Sequence, residues 1–196
     1  MQQNTVLINL EGISFNYPQG PLVLDELYFK LQRGDRIGVI APNGSGKTTL
    51  LHIIMGLLRP LSGKLEIFGK PVREEKDFAS VRQRIGLLFQ DADDQLFSPT
   101  VLEDVAFGPL NLGKSKSDAI QIARHTLDSL GLVGFEDRIT FKLSGGEKRL
   151  VSLATVLAME PEVLLLDEPM NGLDIETKAK LSGILSGIDL SYILIS

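Results

Sequence analysis

Apolar positions in the first third of this chain recur at short, partly alternating intervals. Val6-Leu7-Ile8-Asn9-Leu10-Glu11, Ile13-Ser14-Phe15 and Leu27-Tyr28-Phe29-Lys30-Leu31 are rich in β-branched and aromatic residues. Gly12, Pro18-Gln19-Gly20-Pro21 and Arg33-Gly34-Asp35 punctuate them as turns. The pattern predicts a sheet of short antiparallel strands. From residue 36 the spacing changes. Ile37-Gly38-Val39-Ile40-Ala41 is a continuous apolar run of buried-strand length. The loop Pro42-Asn43-Gly44-Ser45-Gly46 follows, and then residues 47–55 are apolar at helical spacing, with Gly56 as a stop. Further buried strands are predicted at 85–88, 163–166 and 191–196. Buried strands alternating with helical segments predict a largely parallel α/β sheet. Residues 91–159 read as a helical insert in that core. One helix spans about 118–130, capped by Gly131. A second spans about 146–159, with Leu150, Leu153, Ala154 and Leu157 on one face and Pro161 forbidding continuation.

Composition narrows the classes. With 196 residues and 43% hydrophobic positions, the chain can bury a core, which excludes intrinsic disorder. The absence of cysteine excludes a disulfide scaffold, Cys-ligated zinc and thiol catalysis. Twenty basic against 25 acidic residues leave a net charge of -5, which argues against nucleic acid as the main partner. No run approaches the roughly 18–20 apolar residues of a membrane span, and the first cation is Lys30, so the N-terminus lacks a signal peptide's basic region. The expectation is a soluble, cytoplasmic chain whose membrane role would run through a partner.

Three short stretches carry candidate chemistry. Gly44-Ser45-Gly46-Lys47-Thr48 lies where a strand gives way to a helix. Glycines let backbone N–H groups close around phosphate oxygens, and the helix adds its positive end. Lys47 would reach the β- and γ-phosphates and the Thr48 hydroxyl would ligate magnesium. A surface loop with a stray lysine is the plainer reading, and the flanking strand and helix weigh against it. Val163-Leu164-Leu165-Leu166-Asp167-Glu168-Pro169 delivers two adjacent carboxylates to the C-terminal edge of a buried strand, where α/β ligands bind. Asp167 would hold magnesium and Glu168 would polarise the attacking water; a helix N-cap acid beside a proline is the competing reading. In Leu143-Ser144-Gly145-Gly146-Glu147, Ser144 and Glu147 are spaced for a capping box, and the glycines offer a second anion site at a helix start.

In that order along the chain, Ala41 to Thr48, Leu143 to Glu147 and Leu164 to Pro169 resemble the Walker A, signature and Walker B motifs of ATP-binding cassette (ABC) ATPases. The resemblance covers nearly the whole chain and implies one nucleotide-binding domain over 1–196. Its fold would be an ABC-type P-loop ATPase with a mostly parallel core sheet. Residues 1–90 and 160–196 would form the ATP-binding core with an N-terminal antiparallel β-subdomain, and 91–159 the helical signature subdomain. It implies ATP and Mg2+ as cofactors, held through Asn43, Gly44, Ser45, Gly46, Lys47, Thr48 and Thr49, with Thr48, Gln90 and Asp167 on the metal. Tyr17 matches the residue that stacks on adenine, Gln90 the Q-loop glutamine, and Glu168 and Gln90 form the catalytic pair. Ser144, Gly145 and Gly146 would act in trans on the nucleotide of a second ATPase subunit, identical or related. Asn171-Gly172-Leu173-Asp174 resembles the D-loop, with Met170 where Ser or Thr is usual and Ile175 where Pro is common. Ala41 replaces the first Walker A glycine, which is harmless if its φ is negative; its place in the apolar strand favours that.

The segment after Gln90 is similar to ATPase subunits of energy-coupling factor importers and their cobalt and nickel relatives. Asp91-Ala92-Asp93-Asp94-Gln95-Leu96-Phe97-Ser98-Pro99-Thr100-Val101 and Glu103-Asp104-Val105-Ala106-Phe107-Gly108-Pro109 carry that similarity. It implies a subunit at the cytoplasmic face of the membrane that docks a transmembrane coupling subunit through the stretch from Gln90 to Pro109, with Leu96 and Phe97 in the groove. The three aspartates lack a calcium loop's spacing and read as a solvated acidic loop. The alternative is a soluble ABC ATPase acting on nucleic acid or the ribosome; the absence of sustained heptads between Lys47 and Ser144 and the negative charge count against it. The family's histidine switch would follow Ser196, where this chain stops, which implies a truncated form that binds ATP and hydrolyses it poorly.

Overall fold

The computed structural model describes residues 5–196. In chain order the elements are β1 (Val6–Asn16), β2 (Leu22–Gln32), β3 (Arg36–Val39), α1 (Lys47–Ile54), β4 (Ser62–Ile67), β5 (Lys70–Pro71), α2 (Glu75–Arg82), β6 (Ile85–Leu88), α3 (Val101–Asn111), α4 (Lys116–Ser129), α5 (Gly145–Leu157), β7 (Val163–Asp167), α6 (Ile175–Gly187) and β8 (Ser191–Ile195). The chain divides into two compact units. One comprises residues up to 87 with 162–167 and 190–196; the other comprises 88–161 with 168–189.

The first unit holds both sheets. The antiparallel sheet has the order β2-β1-β4-β5. Its first strand is one long element, whereas the sequence pattern broke it at Gly12. That glycine takes φ +62° and the pairing with β2 shifts between Leu10 and Ile13, so the turn signal is a bulge inside a continuous strand. The second sheet has the order β3-β8-β7-β6, with β3 and β7 each parallel to β8. Every residue of β6 and β7 is buried, as expected of strands read as uninterrupted apolar runs. The strand expected over 37–41 differs. β3 covers Arg36–Val39 at a sheet edge, alternates between exposed and half-buried, and stops before Ile40, which is 88% exposed. Glu162 accepts from Arg33 at 2.8 Å and from Arg84 at 2.5 Å, fastening the turn after β2 and the start of β6 to the start of β7.

The second unit is the helical one. α4 and α5 lie within two residues of the expected boundaries. α3 does not follow from the apolar spacing, because Gly108-Pro109 reads as a break. It begins at the capping box Thr100–Glu103, and Pro109 is tolerated as its third-last residue. At Gly108 it passes close to the segment just after α5, since a Cβ there would lie 2.6 Å from Met159. Residues 168–189, placed with the core by the sequence reading, belong to this helical unit and contain α6.

Candidate functional site

The candidate residues fall into two groups, one in each unit. In the first, β3 ends at Val39, a loop runs from 40 to 46, and α1 starts at Lys47. Ala41 therefore lies in the loop and not in the strand. It is not among the described non-glycine residues with positive φ, so alanine there carries no left-handed strain. Gly44 and Gly46 do take positive φ, +79° and +90°. A Cβ on Gly46 would stand 2.7 Å from Val23 Cγ1 and 3.0 Å from Leu24 Cδ2, so only glycine fits. Around Gly44 nothing lies within 4 Å, and the loop opens outward there. The Lys47 ammonium, buried on the inner side, donates to the carbonyls of Ala41 at 2.6 Å and Pro42 at 3.2 Å.

Two further side chains join this group. The Tyr17 hydroxyl and the buried Thr49 hydroxyl lie 3.0 Å apart, and the Tyr17 ring stands edge-on to Phe15 with centroids 5.0 Å apart. The ring is thus fixed beside α1 with 44% of the residue exposed. Asp167 ends β7, is 2% exposed, and lies on a strand that packs against α1. The donor set suits a triphosphate with a hard cation: a loop built of glycines, a buried ammonium, the Thr48 hydroxyl in the first turn of α1, and a buried carboxylate on the strand that α1 touches.

The second group begins one residue further along. Glu168 has φ +43°, a left-handed conformation that costs a non-glycine residue about 1–3 kcal/mol. Its Oε2 accepts from Gln90 Nε2 at 3.3 Å and from Asn171 Nδ2 at 3.0 Å. Gln90 lies two residues beyond β6, which ends at Leu88. The structure thus brings Gln90 and Glu168, 78 positions apart, into hydrogen-bonding distance.

Ser144 caps α5. Its hydroxyl accepts from the Glu147 N–H at 3.3 Å, and Glu147 Oε2 accepts from the Ser144 N–H at 2.8 Å. Arg138 donates to the other oxygen at 2.7 Å. That guanidinium first, and the Ser144 N–H next, hold the Glu147 carboxyl below its usual range. Gly145 has open space where a side chain would be, whereas a Cβ on Gly146 would meet Thr177 Oγ1 at 2.7 Å. Thr177 is in turn held by Asp174, the N-cap of α6.

Sequence reasoning missed three structural side chains here. Buried Asp104 accepts from the N–H groups of Phe97 and Ser98 at 3.1 and 2.9 Å and from the Thr140 hydroxyl at 3.2 Å, fixing the loop before α3. Gln95 and Arg149 tie that region to α5. Arg149 carried no signal of its own, since spacing does not distinguish it from the adjacent cation Lys148. Leu96, expected in a docking groove, is buried and belongs to the core. Phe97 is exposed and stacks edge-on with Phe107, centroids 4.8 Å apart. Beside them is a cavity of about 340 Å³ between α3 and α4, lined by Pro99, Leu102, Leu110 and Ile120 among others.

A family model described as ABC transporter matches residues 24–171. The chain is 53% identical over 191 residues to a protein of Nitratidesulfovibrio vulgaris provisionally named an ABC transporter ATP-binding protein, covering 97% of this chain and 70% of that one. It is 46% identical over 172 residues to the energy-coupling factor transporter ATP-binding protein EcfA of Methanothermobacter thermautotrophicus, covering 87% of this chain and 55% of EcfA. Among solved structures it resembles CbiO1 of Clostridium perfringens, part of the ABC transporter complex CbiONQ. The TM-score is 0.85 and the identity 32%, over 98% of this chain and 78% of CbiO1. Two sheets of the expected kinds, a glycine loop opening α1 and a capped signature helix agree with these matches, and the chain belongs to the ABC transporter ATPase family.

Proposed function

We propose that this chain is the ATP-binding and hydrolysing subunit of a membrane importer of the energy-coupling factor or cobalt/nickel type. It would work as a dimer with a second ATPase subunit at the cytoplasmic face of the membrane. The observation that carries the importer reading is the apolar surface at Phe97, Phe107 and the neighbouring α3–α4 cavity, in the stretch from Gln90 to Pro109. Such a surface suits an amphipathic segment of a transmembrane partner. The names of EcfA and CbiO1 support the same assignment. Among the described residues no helix is long and apolar enough to cross a membrane, so attachment would run through that partner.

The roles follow from the chemistry of each group. Backbone N–H groups of residues 43–49 and the Lys47 ammonium would hold the triphosphate, and the Tyr17 ring would stack on adenine. Thr48, Asp167 and Gln90 would hold Mg2+, which when bound supplies charge neutralisation at the phosphates. Glu168 would accept a proton from the attacking water while Gln90 orients its carboxylate. Ser144, Gly145 and Gly146 offer a helix N-terminus with nothing crowding Gly145, and would close on the γ-phosphate held by the partner ATPase. A signature helix of that kind completes a site only in a dimer, so association should depend on ATP.

Copurification from membranes tests the reading. The intact protein should bring down a transmembrane coupling subunit, and its E168Q variant should dimerise with ATP and not without it. Retention on nucleic acid with no membrane partner would overturn the importer assignment.

A further inference from the structure

We propose that Arg149 is a positioning residue for hydrolysis, setting the direction of the Gln90 side chain from the signature helix. This deepens the proposed function and rests on the reading that Gln90 and Glu168 serve ATP hydrolysis.

The geometry begins with which carbonyls Arg149 holds. Its Nη1 donates to Phe89 O at 2.5 Å and its Nη2 to Gln90 O. Those oxygens belong to the two peptide groups on either side of the Gln90 α-carbon. A planar guanidinium presents its two donors in a fixed fork. Holding both peptides at once therefore fixes φ and ψ of Gln90, and with them the direction in which its side chain leaves the backbone. That direction leads to Glu168 Oε2 at 3.3 Å. Arg149 is 5% exposed, so water competes little for these carbonyls.

Arg149 does not act alone on this segment. Gln95 accepts from the Phe89 N–H at 3.2 Å and donates to Ser152 O at 2.9 Å and Thr155 Oγ1 at 2.8 Å. Lys148 pairs with Asp93. Residues 89–95 are thus strapped to α5 at three places. The same helix begins with Ser144, Gly145 and Gly146, and Arg149 stands about one turn in. Any shift of that N-terminus on engaging a phosphate would be carried by a rigid helix to the two peptides that aim Gln90. The signature motif serves the partner's nucleotide while Gln90 and Glu168 serve the chain's own, so Arg149 would tie the chemistry at one site to occupancy of the other.

The test uses the intact protein with its Mg-ATP turnover, its ATP affinity by calorimetry, and hydrogen exchange over residues 89–95. R149M keeps the side-chain length and removes the fork. Misaiming a catalytic group by about 1 Å costs on the order of 10²-fold in rate. The expected result is a kcat about 10- to 100-fold lower with the ATP Kd, measured without Mg2+ so that Gln90 has no metal to hold, moved less than about twofold, and faster exchange at residues 89–95. R149K, which can satisfy one carbonyl at a time, should fall between. If R149M does not fold, Q95L carries the test, with a smaller loss of kcat at unchanged Kd. A kcat within about twofold of wild type, or a Kd that weakens in step with the rate, overturns the proposal. E168Q separates the two levels. If E168Q hydrolyses ATP like wild type, the assignment of Glu168 falls and takes the relay with it; if E168Q is inactive while R149M is unimpaired, only the relay falls.

Discussion

The Lys47 ammonium lies 2.6 Å from the carbonyl oxygen of Ala41, six residues earlier, so the loop's cation is held on the inner side of the loop itself. A triphosphate entering that concavity would replace two carbonyl acceptors with charged phosphate oxygens. Charge-assisted hydrogen bonds of this kind contribute about 1.5–3 kcal/mol. Lys47→Ala should therefore weaken ATP binding about 10- to 100-fold by calorimetry. Equal affinity in the two proteins would remove the phosphate role from this loop.

Tyr17 makes a separable contribution. Its ring is set by the edge contact with Phe15 and by the hydrogen bond to Thr49. Stacking on a base contributes about 1–3 kcal/mol when tested by alanine substitution. Tyr17→Ala should weaken ATP binding about 5- to 100-fold and leave inorganic triphosphate binding unchanged. Tyr17→Phe keeps the ring and should stay within about threefold. Titration of the three proteins with both ligands checks this, and a Tyr17→Ala chain that loses triphosphate equally would assign Tyr17 to support of α1 instead.

The loop around Lys47 was largely legible in the sequence, because a strand, a glycine loop and a helix follow one another within about 20 residues, whereas Tyr17 meets Thr49 across 32 positions and stood out only through the family resemblance. Ser144 and Glu147 were legible for the same reason: a capping box is written in four consecutive positions. What could not be read is what the chain brings together from afar. Spacing alone does not aim Arg149 at carbonyls 59 and 60 positions away, nor Asp104 at a hydroxyl 36 positions on. Gly12 misled for a different reason. Glycine at positive φ serves one class of bulge as well as several tight turns, and only the pairing partners decide between them.

Leu96 and Phe97 are neighbours with opposite fates, which gives a contrast experiment. Leu96 is buried, so Leu96→Ala should cost about 2 kcal/mol or more of stability, read as a lower melting temperature. Phe97 and Phe107 are exposed, and changing both to serine should leave the melting temperature within a few degrees. That double variant should instead reduce recovery of the transmembrane subunit about tenfold or more, with ATP binding retained. Undiminished recovery would place the docking surface elsewhere.

Acid should loosen the start of the signature helix. The Glu147 carboxyl is held below its ordinary value of about 4.5, first by the Arg138 guanidinium and then by the Ser144 N–H. Lowered in the folded state, it makes the unfolded chain bind more protons near pH 4.5, so its stabilisation is complete above that pH and is lost as pH falls through the folded value. Glu75, Asp77, Glu162 and Asp174 are lowered too, so wild type alone would report their sum. Comparison with Glu147→Gln isolates the one group. The variant should melt below wild type at pH 7, and the gap should hold down to about pH 5 and narrow below about 4.5 as wild-type Glu147 takes up its proton. A gap that stays constant down to pH 3 would mean that the ionised carboxylate contributes nothing beyond a neutral acceptor to the cap of α5.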